Sequence, residues 1–306
     1  MFNKTFNIIQ VLAAFLLLTC NSAYLWGGPH SSSHPAFSGA AAFAYTRHAV
    51  SYGQRPAGSP ALAQLRVWLI GQLKPLRGSV SVDSFSAFTP EGAVSMANII
   101  AKFPGTSGKA IVIAGHYDTK RMPLVNFVGA NDGGSSTGFL LEMAHVLSKE
   151  KFPDDIYLVW FDGEEAVARW TAADSCYGSR HLSQKWSSDG TLSRIKAFIN
   201  IDMIGDRDLD IVPDTHSSAS LRNLVWKAAD ELGDGKFFLR DGGDIEDDHL
   251  PFIEAGTNAL DIIDFDYGPQ NEYWHTGKDT LDKLGAHSFQ IVGDVVLKSI
   301  AYLTGQ

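Results

Sequence analysis

Imidazole and carboxylate side chains stand at regular places in this sequence: directly after its apolar segments, inside one of them, or beside a tryptophan near the end. The set consists of His116, Asp132, Glu164, Glu165, Asp202 and His275. One such residue alone carries little information, because a polar side chain at a strand end usually satisfies ordinary hydrogen bonds. The whole set is informative, since side chains that follow successive strands converge on one cleft.

These residue types together indicate metal chemistry. Carboxylates crowded into one cleft repel one another and lose hydration, and a bound cation removes that cost. Mixed imidazole and carboxylate ligands suit Zn²⁺, which in a catalytic site keeps three protein ligands and one open position. Glu164 and Glu165 are adjacent, so one can bind the metal while the other transfers protons. The sequence therefore predicts a catalytic zinc site.

The elements that would position these residues follow from hydrophobic patterning. Predicted strands cover 79–88, 96–103, 110–114, 156–161, 195–204 and 259–263, and predicted helices cover 40–50, 60–73, 138–147, 221–232 and 289–303. Strands that alternate with helices predict one α/β domain with a central, mostly parallel mixed sheet and helices on both faces. Ligands of such folds bind beyond the carboxyl ends of the strands, where the polar set lies.

Composition agrees with a single enzyme-sized domain. The chain has 306 residues, of which 45% are hydrophobic, and a formal charge of −9 at pH 7. That length accommodates one α/β domain of roughly 250 residues or slightly more. No run of basic residues is present, so neither nucleic acid nor an anionic membrane surface is an expected partner.

The amino terminus has the features of an export signal. Lys4 precedes an apolar stretch at 8–18 and then small residues, the order typical of a secretory signal peptide. The stretch is shorter than the roughly 20 residues of a membrane span. We expect a signal at 1–23, a linker at 24–38 and the zinc-enzyme domain at 39–306.

Cys20 gives a second possibility for this terminus. It lies within a short segment similar to a bacterial lipoprotein cleavage site, which would place a lipid anchor on Cys20. Either interpretation predicts an exported protein, whether periplasmic, secreted or anchored to a membrane. Cys176 is the only cysteine of the expected enzyme domain, so no internal disulfide is expected. We expect a monomer.

Three longer stretches carry a family resemblance. They are 116–120 with 127–132, then 161–182, and finally 246–252 with 274–276. In these stretches, the chain resembles the M28-type zinc exopeptidases and, more closely, a bacterial-type variant of their glutaminyl-peptide cyclotransferase (glutaminyl cyclase) branch. The resemblance runs from about residue 40 to the end.

The resemblance implies an activity and a metal. Enzymes of this branch convert the N-terminal glutamine of peptides and proteins to pyroglutamate with release of ammonia. One zinc is implied, with Asp132, Glu165 and His275 as its ligands. Glu164 matches the residue that acts as general acid and base.

The same resemblance implies the residues around the metal. Asp247 would form hydrogen bonds near Glu164, and Asp202 would belong to the same network. Trp170 and Trp274 would line the substrate pocket. The expected partners are therefore peptide or protein N-termini.

Two features depart from the animal members of the branch. Asp261 stands where those enzymes have a histidine, so a proton network that uses this histidine cannot be transferred. An aspartate there adds negative charge beside Glu164 and Asp247, which should favour a proton shared among the carboxyl groups. The disulfide of the animal enzymes is also absent, because Ala114 and Gly115 occupy its place.

Two other functions remain open at this point. In a di-zinc aminopeptidase of the M28 type, His116 and Asp202 would bind a second zinc, Asp132 would bridge the two ions, and the ions would activate water. A non-catalytic exported binding protein is the second alternative. The retention of every ligand and of Glu164 argues against the binding protein.

Overall fold

The computed structural model of the chain describes residues 36–306. Its strands are β1 (Ser79–Thr89), β2 (Gly92–Phe103), β3 (Ala110–His116), β4 (Asp155–Phe161), β5 (Ile195–Asp202) and β6 (Ala259–Ile263). Its α-helices are α1 (Gly39–Val50), α2 (Pro60–Leu73), α3 (Gly134–Leu147), α4 (Tyr177–Ser188), α5 (Ala219–Leu232), α6 (Leu250–Glu254) and α7 (Ala286–Thr304).

The strands form one mixed sheet in the order β1-β2-β4-β3-β5-β6. Strands β4, β3, β5 and β6 are mutually parallel, whereas the β1–β2 hairpin adds two antiparallel strands at one edge. The register pairs His116 with Phe161 and Asp202 with Ile263. The carboxyl ends of the parallel strands therefore meet at one edge of the sheet, and the predicted mostly parallel mixed sheet is confirmed.

The central strands bury both of their faces. In β3, Ile111 and Ile113 belong to a core with α1, α2, α3, α5 and α7, whereas Val112 and Ala114 belong to the opposite core with α4 and α6. Successive side chains of a strand point to opposite faces, so an unbroken apolar run fits a sheet covered on both sides. The predicted helices on both faces are confirmed.

Local sequence explains where several helices begin. Ser38 and Ser59 cap α1 and α2, accepting hydrogen bonds from Ala41 N and Leu62 N, which satisfies backbone groups that have no partner within the helix. Helix α3 begins four residues earlier than predicted. Its first turn consists of small residues that pack closely against α1, where a side chain at Gly138 would collide with the α1 backbone.

Two helices were not predicted. Helix α4 is mostly polar, and on its inner face Leu182 and Trp186 join the second apolar core. Helix α6 has only five residues, and its Phe252 packs against the same core. Both cover the sheet face that α3 and α7 leave open.

The predicted signal at 1–23, Cys20 and most of the predicted linker lie outside the described residues. The last part of that linker is folded: Phe37 is buried with its ring centroid 5.0 Å from that of Phe139. All described residues belong to one compact unit. Within residues 36–306, no helix has both the length and the hydrophobicity needed to cross a bilayer.

Candidate metal centre and active site

Strand ends position most of the candidate side chains. His116 is the last residue of β3, Asp202 is the last residue of β5, and Glu164 and Glu165 follow the end of β4. Gly163 has a φ of +71°, and a Cβ there would lie 2.6 Å from Met96 Sδ. The left-handed turn at this glycine lets the chain leave β4 sharply, so that the two glutamates come back over the sheet edge.

Asp132 and His275 come from loops instead. Asp132 precedes the start of α3, and Gly133 between them has a φ of +75°. His275 has a φ of +50°, a conformation that only a few per cent of non-glycine residues adopt. Its ring packs edge-on against Phe127, with ring centroids 5.8 Å apart. Both loops therefore use unusual backbone conformations to bring their ligands over the sheet.

The three predicted metal ligands lie together. His275 Nε2 is 3.0 Å from Glu165 Oε1 and 3.2 Å from Asp132 Oδ2, and one ligand atom from each residue lies within 4.8 Å of the others. A pocket lies over these residues, and we call it the main pocket. We call Asp132, Glu165 and His275 the open group, because they line this pocket and the His275 side chain is 19% exposed.

The open group fits a cation. Its atoms face one another, and the buried Asp132 Oδ2 has His275 Nε2 at 3.2 Å but no contact that meets full hydrogen-bond geometry. A cation between these atoms would lower the cost of burying the carboxylate charge. Carboxylate oxygens and imidazole nitrogens are both zinc ligands in proteins, and three protein ligands leave a fourth position open. Ligand atoms about 2.0–2.2 Å from a tetrahedral zinc are themselves a little over 3 Å apart, close to the two distances from His275 Nε2 to the carboxylate oxygens.

A second group of potential ligands shares Asp132. His116 Nε2 lies 3.3 Å from Asp132 Oδ1 and 3.1 Å from Asp202 Oδ1. We call His116, Asp132 and Asp202 the closed group, because all three side chains are buried. The other ring nitrogen of His116 faces Asp118 at 3.5 Å and Glu164 at 3.8 Å. The two groups therefore present different oxygens of Asp132 to two histidines.

The contacts within the two groups shift the pKa values of their side chains. Burial would lower the pKa of His275, but the charges of Glu165 and Asp132 and their hydrogen bonds raise it to about 9. Burial likewise opposes a charge on His116, yet Glu164, Asp202 and other carboxylates raise its pKa well above the usual range. In turn, the two imidazoles overcome the burial of Asp132 and lower its pKa.

Glu164 is placed for proton transfer. It is buried, lines the main pocket and donates its backbone N–H to Asp118 Oδ1 at 3.1 Å. Burial raises the pKa of its carboxyl group well above the ordinary value, and the charges of Glu165 and Asp247 raise it further while His116 opposes them. A carboxyl group with a raised pKa can both accept and return a proton near neutral pH.

Asp247 and Asp261 are joined by an asparagine. Asn200 Nδ2 donates to Asp247 Oδ2 at 2.8 Å and to Asp261 Oδ1 at 3.1 Å. Burial and the charge of Asp261 raise the pKa of Asp247, and burial raises that of Asp261 to about 7. The crowded carboxyl groups thus hold protons more strongly than usual.

The main pocket has a volume of about 350 Å³. Trp170 and Trp274 both line it, with Phe265 against the Trp274 ring at 5.0 Å between centroids. Trp170 Nε1 donates to Glu246 Oε2 at 2.8 Å, which fixes the indole at the pocket wall. Every residue predicted for the site is therefore in or directly behind this pocket, with only His116 absent from its lining.

Several residues of the site were not singled out from the sequence. Asn200 lies inside an apolar strand. His249 contacts Asp214 Oδ2 at 2.9 Å and Asp261 Oδ2 at 3.9 Å; it belongs to the stretch 246–252, which carried the family resemblance without a role for His249. Asp279 follows His275 by four residues, and this spacing was the one available signal. These residues contact candidate site residues and other polar groups but do not line the pocket, so their residue types alone do not reveal them.

Known proteins resemble this chain over most of its length. Residues 98–300 match the family model described as Peptidase family M28. A glutaminyl-peptide cyclotransferase of Drosophila melanogaster is 31% identical over 241 residues, which cover 70% of this chain and 67% of that protein. One of Bos taurus is 31% identical over 267 residues, covering 76% and 73%.

A solved structure gives a closely similar fold. The crystal structure of an Acidobacteriales bacterium glutaminyl cyclase is 43% identical, covers 91% of this chain and 98% of its own, and has a TM-score of 0.87. The resemblance identified from the three sequence stretches is confirmed. The chain therefore belongs to peptidase family M28 and, within it, to the glutaminyl-peptide cyclotransferases.

Proposed function

We propose that the chain is a zinc-dependent glutaminyl-peptide cyclotransferase that acts on the N-terminal glutamine of peptides and proteins. In this reaction the α-amino nitrogen forms a bond to the side-chain amide carbon, and the bond from that carbon to the amide nitrogen breaks. The products are an N-terminal pyroglutamate and ammonia. The observation that carries the proposal is Glu164, a buried carboxyl group of raised pKa that shares one pocket with the open group.

Asp132, Glu165 and His275 would hold the zinc. When bound there, zinc supplies a Lewis acid that polarises the amide oxygen of the substrate. The family relationship and the carboxylate–imidazole donor set support this assignment. We propose one ion per chain, because all three residues of the open group line the pocket whereas His116 of the closed group does not.

Glu164 would move the protons. Its carboxylate accepts a proton from the attacking α-amine, and the resulting carboxylic acid delivers a proton to the departing ammonia. Asp247, whose pKa is raised by burial and by Asp261, would contribute a hydrogen bond near Glu164. Its charge raises the pKa of Glu164, which suits a group that must both accept and return a proton.

Trp170 and Trp274 would hold the glutamine side chain. Their flat rings line the pocket beside the open group and offer apolar faces to the planar amide. They would also exclude water from the amide carbon, which water would otherwise hydrolyse. The hydrogen bond from Trp170 to Glu246 keeps one ring in place without substrate.

A pair of peptides tests the proposal. The purified protein is incubated with one peptide that begins with glutamine and one that begins with leucine, and ammonia and free amino acids are measured. We expect ammonia from the first peptide and no cleavage of either. Release of free leucine would instead establish a di-zinc aminopeptidase, the function that the closed group would support if it bound a second ion.

We also propose that the protein is exported as a monomer, with a signal at 1–23, a linker at 24–38 and the enzyme domain at 39–306. The order of charge, apolar run and small residues at the amino terminus supports export. The alternative signal would leave a lipid on Cys20. Mass spectrometry of the mature amino terminus distinguishes a free residue after the signal from a lipidated Cys20.

A further inference from the structure

Asp279 joins two of the loops that carry metal ligands. It lies four residues after His275, and its side chain is completely buried. Asp279 Oδ1 accepts a hydrogen bond from Asn131 N at 2.8 Å, and Asp279 Oδ2 accepts one from Asp132 N at 3.2 Å. One carboxylate therefore fixes the backbone of Asp132 relative to the loop of His275.

A third part of the site is tied to the same point. Asn131 Oδ1 accepts the backbone N–H of Gly205 at 2.8 Å, three residues after Asp202 at the end of β5. Tyr267 donates its hydroxyl to Asp279 Oδ1 at 2.7 Å and is itself completely buried. The Asp279 carboxylate thus lies at a junction of the segments that follow β5, precede α3 and carry His275.

A buried cation supports the Asp132 segment from another direction. Arg55, also fully buried, donates to Val128 O at 2.8 Å and to Gly129 O at 3.0 Å. Its positive charge acts on both Asp279 and Asp132. An uncompensated buried carboxylate beside Asp132 would be costly, and Arg55 reduces that cost.

We propose that Asp279 is a positioning residue that sets the affinity of the open group for zinc. It does not face the pocket and would not touch substrate or metal. Its role is to hold Asp132 Oδ2 and His275 Nε2 at the separation of 3.2 Å that suits a shared ion. The inference rests on the zinc site of the proposed function, and it goes beyond it by naming a residue outside the ligand set.

The test is the zinc affinity of Asp279→Asn, measured by competition with a chelator. An amide keeps one acceptor oxygen but turns an NH₂ group toward a backbone N–H, so one of the two backbone hydrogen bonds is lost. We expect zinc to bind about 10–100-fold more weakly, the usual cost of changing a group that orients a ligand. The unfolding free energy of the metal-free protein is measured beside it, so that a loss of folding is recognised.

Asp155→Asn is the matched control. Asp155 is also a buried carboxylate that accepts a backbone N–H, from Gly105 at 2.8 Å. It is the first residue of β4, at the end of the strand opposite the one that Glu165 follows. We expect this variant to lose folding stability as well, while its zinc affinity stays within about twofold of the original protein, since no ligand-bearing loop is altered.

Tyr267→Phe separates geometry from charge and covers the case in which Asp279→Asn fails to fold. It removes one hydrogen bond to Asp279 and keeps the negative charge. We expect weaker zinc binding by a few-fold and a changed visible spectrum of the Co²⁺-substituted protein.

The outcomes are distinct. Unchanged zinc affinity in a folded Asp279→Asn variant overturns the inference, as does a Tyr267→Phe variant with unchanged affinity and spectrum if the first variant does not fold. An original protein that binds no zinc would instead refute the metal site of the proposed function.

Discussion

Asp132 divides the site into two halves that differ in access. On one side, Glu165 and His275 of the open group border the pocket, and the His275 side chain is 19% exposed. On the other, His116 of the closed group is 1% exposed and its two ring nitrogens face four carboxylates. Similar residue types at similar distances are thus placed once at a pocket wall and once in the interior.

This difference separates two uses of the same chemistry. Ligands at a pocket wall can share an ion with a substrate, because one coordination position can remain open. A buried imidazole among carboxylates can instead act as their counterion, which its raised pKa reflects. We therefore infer that the open group holds the metal, and that His116 of the closed group organises the carboxylates around it as their counterion.

Replacing the histidine of each group in turn should give the largest difference in zinc affinity between two variants. We expect His275→Ala to lose zinc, with a loss of affinity beyond the 10–100-fold that changes outside the ligand set usually cause, because one of three ligands is gone. His116→Ala should keep most of its zinc affinity, since His116 is not a ligand in this account. Zinc content after dialysis measures both, and equal losses in the two variants would contradict the division.

Glu164→Gln should separate catalysis from metal binding. The amide cannot accept the proton of the α-amine, so turnover of a glutamine peptide should fall by about 10²-fold or more. Zinc content should stay near that of the original protein. Glu254→Gln, an equal change in charge on an exposed glutamate of α6, is the control. Normal turnover by Glu164→Gln would remove this residue from its proposed role.

The pH dependence of zinc binding should report on the open group. The pKa of His275 is about 9 in the metal-free protein, so zinc must displace a proton from its ring. Apparent zinc affinity should therefore rise by about tenfold per pH unit between about pH 6.5 and 9 and then level off. Titration with a chelator at several pH values measures this slope, and a constant affinity across that range would contradict it.

The same proton should stabilise the metal-free fold. Because the folded pKa of His275 lies above the unfolded value, its contribution is fully present below about pH 6.5 and is lost as pH rises through about 9. Urea unfolding of the metal-free protein at pH 6 and pH 9 measures this loss. His275→Ala should show a smaller difference between these two pH values.

Trp170→Phe should give the smallest effect. The phenyl ring keeps an apolar face at the pocket wall but cannot donate to Glu246, which the indole does at 2.8 Å. We expect a rise in KM of a few-fold with little change in zinc content, because this hydrogen bond is exposed and a typical one contributes only about 0.5–1.5 kcal/mol. A variant that loses its zinc would show that this wall also supports the metal.

The buried sheet was the most predictable part of the fold. Strands β3 and β4 are apolar on both faces, and such runs have few alternatives in an α/β chain. Helix α4 was not predicted because most of its residues are polar, including buried ones such as Ser179 and Ser183. Helix α3 was predicted to begin too late because its first turn, with Gly134 and Ser135, has weak helix propensity and is stabilised by packing against α1.

The candidate site was predictable where residue type carries the chemistry. His275 and Glu164 could be identified because imidazoles and paired carboxylates that gather in one cleft have few uses other than metal binding and proton transfer. Asn200 and Asp279 could not, since an amide inside a strand and an acid in a loop gain their meaning only from the groups they contact in three dimensions. The sequence therefore predicts the ligands better than the residues that hold them.

The number of zinc ions that each chain binds is the decisive test of whether the open group alone holds the metal. Elemental analysis of the purified protein, made on the same sample that releases ammonia from a glutamine peptide, gives this number. The account predicts one tightly bound zinc, held by the open group. Two tightly bound ions would contradict it, because the closed group would then be a metal site as well, as in a di-zinc aminopeptidase.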